Sequence, residues 1–234
     1  MLEKIKEIPE DPTEYSNPKN ILRLPFPSLY TTIPNERFRV KKGVFEYMGR
    51  EKFDELLAEV NKLEYHVNVK LFLYGSIGYG KSYMLAALAC LLIRQGRRVV
   101  YLPDCRTLLD NMLGYVKAAL LLAFGDKPDY QAKILKLKDE NDIYNFLEWL
   151  SQEKKIYLYF IVDQRNALDP EEGEDGITKK VRNNAMQCLA KFMSLHFSIT
   201  SSSANDRAEQ NVKAKQMNRT LIKVYGGFSE VSKL

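Results

Sequence analysis

Apolar residues along this chain fall into two alternating kinds of segment. Short, nearly continuous runs occur in VKLFLYG (69–75), RRVVYLPD (97–104), KIYLYFIVDQ (155–164), HFSITSSSAN (196–205) and LIKVYGG (221–227). Runs of this length and continuity predict strands covered on both faces, as in the middle of a parallel sheet. Between them the spacing becomes helical. Phe45, Met48, Phe53, Leu56, Leu57 and Val60 predict one helix over 42–63, and Lys81 to Gln95 predicts a second, ending at Gly96. Leu108, Leu109, Met112, Val116, Leu120 and Phe124 predict a third over 108–124, begun by Asp104 or Thr107. A shorter helix is expected over 141–152 after a charged region. Another is expected over 178–195, with Val181, Ala185, Cys188, Leu189 and Phe192 facing inward. Residues 169–175 read as an exposed acidic loop, and 206–219 as a charged helix or mobile segment. Alternating strands and helices predict an α/β fold, a mostly parallel sheet flanked by helices.

Residues 1–40 break the pattern. Prolines at 9, 12, 18, 25, 27 and 34 forbid a long helix, so the segment is expected to be an irregular strap laid on a domain spanning 41–234.

Composition adds constraints. In 234 residues, 35 basic against 30 acidic side chains leave a net charge of +5, too little to imply nucleic acid without a concentrated basic face. Cys90, Cys105 and Cys188 are too scattered for a disulfide framework or a metal-binding spacing, and read as reduced thiols. No apolar run is long enough to span a bilayer, and the first residues lack a signal core, so a soluble protein with no membrane partner is expected. The terminal Ser232-Lys233-Leu234 matches a peroxisomal address that nothing else in the chain supports.

The chemistry begins at GSIGYGKS. Gly75, Gly80, Lys81 and Ser82 fill the G-x-x-x-x-G-K-[ST] pattern, with a strand before it and a helix after it. Glycines let the backbone turn its N–H groups onto phosphate oxygens, and the helix N-terminus adds positive charge. The segment Gly75, Ser76, Ile77, Gly78, Tyr79, Gly80, Lys81, Ser82 and Tyr83 is therefore the expected nucleotide cradle. Lys81 would lie near the β and γ phosphates and Ser82 on Mg²⁺, while Tyr79 stands where a small residue is usual.

Hydrolysis requires more. IYLYFIVD presents Asp163 at a strand end, where an acid can hold Mg²⁺. Gln164 follows where many such ATPases carry glutamate, and a neutral amide orients water but is a poor base. Asp169, Glu171, Glu172 and Glu174 are candidate substitutes. In TSSSAN (200–205), Asn205 or Ser202 would face the γ phosphate if that strand lies between the other two. Arg207 is a candidate phosphate contact, and Arg165 or Arg182 a candidate arginine finger for a neighbouring subunit.

The series YGSIGYGKSYMLAALACLL, VVYLPDCR, YFIVDQRNAL and SITSSSAN resembles the NTPase module of Crinkler effectors and the related retrotransposon-hot-spot proteins. FEYMGREKFDELL and KVYGGFSE fit the same resemblance, which covers about residues 20–230. It implies an AAA- or STAND-like P-loop NTPase of the additional-strand (ASCE) class that binds and hydrolyses ATP with Mg²⁺. Gly80, Lys81 and Ser82 would lie in the phosphate loop, with Asp163 as the metal acid and Asn205 as phosphate sensor. It also implies secreted effectors sent to a host nucleus, homo-oligomers and DNA contact. Residues 1–20 do not look like a delivery module, and the few residues after Phe228 are not expected to hold a separate effector domain.

Three readings stay open: an ATPase coupled to a conformational or assembly change, a nucleotide-binding switch with little hydrolysis, and a small-molecule or nucleoside kinase.

Overall fold

The computed structural model describes residues 1–65, 69–75, 78–202 and 220–224. Five strands form one parallel sheet: β3 (Lys70–Gly75), β4 (Val99–Leu102), β5 (Tyr159–Val162), β6 (Phe197–Ser201) and β7 (Thr220–Val224). Their spatial order is β4-β5-β6-β3-β7, so β6 lies between the phosphate-loop strand and the strand ending at Asp163. That is the α/β P-loop NTPase arrangement with a strand added between those two.

Alternation across the pleat explains the continuous apolar runs. Val99 and Tyr101 pack into one core, and Val100 and Leu102 into the core on the opposite face. The second core is closed by α5 (Thr107–Ala123), α6 (Pro128–Leu135), α7 (Glu140–Gln152) and α8 (Gly176–Met193). The first is closed by α4 (Lys81–Arg94) and the N-terminal residues.

Helix α4 is apolar all round: every residue from Met84 to Leu92 is buried. Such a helix needs cover on its outer side as well as from the sheet. The first 65 residues supply that cover with α1 (Leu2–Lys6), α2 (Thr13–Ser16), an antiparallel pair β1 (Ile21–Pro25) and β2 (Val44–Met48), and α3 (Lys52–Asn61). Cys90 Sγ donates to the Pro25 carbonyl at 3.1 Å, and Arg94 pairs with Glu10 at 3.2 Å.

Several expectations change here. Within residues 1–40 lie two short helices and a strand, so that segment is not irregular throughout. The single helix expected over 42–63 divides into β2 and α3. Phe45 and Tyr47 are buried and Glu46 is exposed, a period of two that suits an edge hairpin. Gly49 then lies so close to the Asn17 backbone that no side chain fits. The charged region after α5 contains α6, which starts at Pro128. Val181 points outward rather than inward, whereas Ala185, Leu189 and Phe192 are buried. The expectations for 206–219 lie outside the described residues.

Candidate functional site

Because the sheet is parallel, the ends of β3, β4, β5 and β6 meet on one edge. There the chain places Gly75, Asp104, Asp163 and Ser201. Gly75 has φ 147°, and a Cβ on it would run into the Val224 carbonyl. Gly80 caps α4 in the left-handed region at φ 73°. Both positions require glycine.

Lys81, in the first turn of α4, is only 8% exposed and donates to the Gly75 carbonyl at 2.8 Å. Burial lowers its pKa, and the nearby Asp163 carboxylate opposes that shift. The lysine is therefore within electrostatic reach of the acid at the sheet edge. Ser82 follows in the same turn, half-buried.

Asp163 is 1% exposed. Its Oδ1 accepts from the Gln164 N–H at 2.9 Å and from the Ser201 hydroxyl. Its Oδ2 accepts no hydrogen bond and has Arg37 Nη1 3.7 Å away. A buried carboxylate oxygen with no donor is suited to a cation, so Asp163 fits the magnesium expected of this loop.

Gln164 adopts the left-handed conformation (φ 58°, ψ 41°) and caps the short 3₁₀ helix Arg165–Leu168. A non-glycine residue there is strained, and such strain gathers at functional positions. Tyr79 presents its carbonyl to Arg50 Nη1 at 3.1 Å, and Tyr83 accepts the Arg39 N–H at 3.0 Å. Gly78 lies in the described part of the loop with φ 83°. Ser76, Ile77, Asn205 and Arg207 lie outside the described residues. Ser202, the alternative sensor, is buried at the end of β6.

The acidic loop supplies no free base among the carboxylates with assigned contacts. Glu174 and Glu171 bind Arg182 at 2.7 and 3.2 Å, and Arg182 also donates to the Ala167 carbonyl. Arg182 is thus tied within its own chain.

Four residues at this edge were missed by spacing rules. Ser201 orients Asp163, and Asp104 at the β4 end binds Arg37 Nη2 at 2.5 Å. Arg37 arrives from the N-terminal strap. Arg50 arrives from the β2–α3 junction and packs over Gly80, its pKa lowered by burial. Of these, only Asp104 carried a signal, an acid ending a strand in VVYLPD, as Asp163 does in YFIVD.

Among the described residues, no cluster of three or more histidine, cysteine or acidic side chains forms a further metal site, and no helix is long and apolar enough to cross a membrane.

No protein-family model and no curated protein matches the sequence. Solved structures share the fold distantly. They include C. elegans PCH-2, at 14% identity over 93% of this chain and 52% of that one, with a TM-score of 0.43. AMPPCP-bound DnaA from Aquifex aeolicus is 18% identical over 74% of this chain and 44% of that one, with a TM-score of 0.37. Drosophila ORC bound to GC-rich DNA and Cdc6 matches at 16% identity, with a TM-score of 0.40, over 74% of this chain and 28% of that one. The chain spans about half or less of each of these proteins. With every score below 0.5, the fold assignment rests on the strand order and the phosphate loop.

Proposed function

We propose that this chain binds ATP with Mg²⁺ and hydrolyses it, and that loss of the terminal phosphate drives a conformational or assembly change. The observation that carries this reading is the asymmetric Asp163 carboxylate. Ser201 and the Gln164 N–H hold one oxygen, and the other is buried without a donor on the edge occupied by Lys81. Ser82 and Asp163 would hold the magnesium ion, whose charge would offset that of the phosphate oxygens. Main-chain N–H groups of the 75–82 loop bind phosphate, Lys81 neutralises its charge, and Gln164 orients a water molecule.

Phosphate release from ATP with Mg²⁺ tests this directly. Turnover that disappears in both Lys81→Ala and Asp163→Ala supports the assignment, and equal turnover in all three proteins rejects it. GTP in the same assay settles the base.

A second reading, a switch with little hydrolysis, is favoured by Gln164, which is neutral, and by Glu171 and Glu174, which are held by Arg182. Tight ATP binding without phosphate release would select it. The Crinkler-type kinship, an effector role, a host nuclear destination, oligomerisation and DNA contact belong to the same proposal and rest on the quoted motifs alone.

A further inference from the structure

The N-terminal strap reaches into the proposed metal site. Glu36 and Arg37 follow Pro34 and meet the ends of β4 and β5, where charges alternate in one chain: Glu36, Arg106, Asp104, Arg37, Asp163. Arg37 is the link between the two buried aspartates. Its Nη2 lies 2.5 Å from Asp104 Oδ2, its Nη1 donates to the Pro103 carbonyl at 3.2 Å, and the same Nη1 stands 3.7 Å from Asp163 Oδ2. The guanidinium is thus closely ion-paired to Asp104 and anchored beside it on the Pro103 carbonyl, and only loosely ion-paired to Asp163. Asp104 is further gripped by Arg106, which donates to both of its oxygens.

This inequality has a consequence for the metal. Resting on the reading that Asp163 holds Mg²⁺, we propose that Arg37 is a gate on that carboxylate: its guanidinium and the cation compete for Asp163 Oδ2, and metal–nucleotide binding leaves Arg37 to Asp104 alone. Two cations against one buried oxygen repel at short range, and magnesium demands close oxygen contacts of about 2.1 Å. The weaker of the two Arg37 contacts is the one that gives way. Arg37 adjoins Phe38, whose ring packs 4.9 Å from Phe26 and 5.1 Å from Tyr83 at the start of α4. Movement of the guanidinium is therefore passed to the strap that covers α4, and the nucleotide acquires a physical link to the N-terminal segment.

The gate makes two neighbouring substitutions act in opposite directions. Arg37→Gln removes the competitor and is expected to tighten metal binding by about tenfold. Asp104→Asn removes the anchor, lets Arg37 settle on Asp163, and is expected to weaken metal binding by a similar factor. The probe is Mn²⁺, followed by its electron paramagnetic resonance signal, with a non-hydrolysable ATP analogue and the full chain. The analogue's affinity is also measured without metal, and far-UV circular dichroism checks that each variant is folded.

Opposite shifts for Arg37→Gln and Asp104→Asn support the gate. Weaker metal binding in both, as a purely structural network would give, overturns it. So does an Arg37→Gln variant that binds the analogue less tightly by the same factor with and without Mn²⁺, since Arg37 would then be a phosphate ligand. Arg37→Lys, which keeps the charge but has a single donor head, is expected to fall between wild type and Arg37→Gln. If Arg37→Gln does not fold, Arg37→Lys and Asp104→Asn decide the matter on their own. Wild-type protein that binds Mn²⁺ and the analogue no better than Asp163→Asn would defeat the metal reading itself. Wild-type binding that Asp163→Asn abolishes, with Arg37 variants unchanged, would defeat the gate alone.

Discussion

The Ser201 hydroxyl donates to Asp163 Oδ1, joining the last residue of β6 to the acid that ends β5. With the Gln164 N–H on the same oxygen, this bond sets the carboxylate's rotation and leaves Oδ2 beside Arg37. Ser201→Ala removes one of two donors from a fully buried acid. We expect about 1–2 kcal/mol of lost stability by chemical denaturation and about tenfold slower ATP turnover, with nucleotide affinity little changed.

Gln164 tests whether strain is retained for chemistry. Glycine accepts φ 58° without the Cβ clash, so Gln164→Gly is expected to leave stability within about 1 kcal/mol of wild type or to raise it. Turnover should nevertheless fall by about tenfold or more, because the water-orienting amide is gone. Parallel melting curves and phosphate-release rates check both halves. Unchanged turnover would remove Gln164 from the chemistry.

Arg50 and Gly80 form a second close relationship. A Cβ on Gly80 would lie 2.5 Å from Arg50 Nη2, and the backbone there is left-handed. Gly80→Ala should cost about 1–2 kcal/mol and weaken nucleotide binding. Adding Arg50→Ala should recover the steric part and leave the backbone part, so a double-mutant cycle reads a coupling between the two sites.

These relationships mark what the sequence could and could not disclose. The strands ending at Gly75 and Asp163 were legible because full burial on two faces leaves continuous apolar runs, and the glycine spacing of the loop encodes its own backbone shape. Helix α4 was also legible, though its all-round apolar character hinted at a cover that periodicity could not locate. The β1–β2 hairpin was hidden because Phe45 and Met48 also satisfy a helical spacing, and only pairing with Ile21–Pro25 decides the matter. Arg37 and Arg50 gave no sign. Each acts through contacts across at least 29 positions of sequence, from Tyr79 to Arg50, or 66, from Pro103 to Arg37. No local rule orients an arginine that far.

Acid sensitivity should come in part from His196, which is buried beside Phe160 with Nδ1 accepting the Leu158 N–H at 3.3 Å. Burial lowers its pKa from 6.5 to about 4. Between those values the unfolded chain takes up a proton that the folded chain refuses. Its contribution is therefore complete above pH 6.5 and is lost as pH falls toward 4, by at most about 3 kcal/mol. Urea denaturation at several pH values should show this slope in wild type and a flatter one in His196→Gln.

The most direct measurement is the affinity of the full chain for ATP by titration calorimetry, with Mg²⁺ and with excess chelator. If Lys81 and Asp163 serve one magnesium–nucleotide complex, wild type binds at least about tenfold more tightly with Mg²⁺. Asp163→Asn should lose that difference, and Lys81→Ala should lose binding under both conditions. An Asp163→Asn variant that keeps the full magnesium dependence would contradict the shared site.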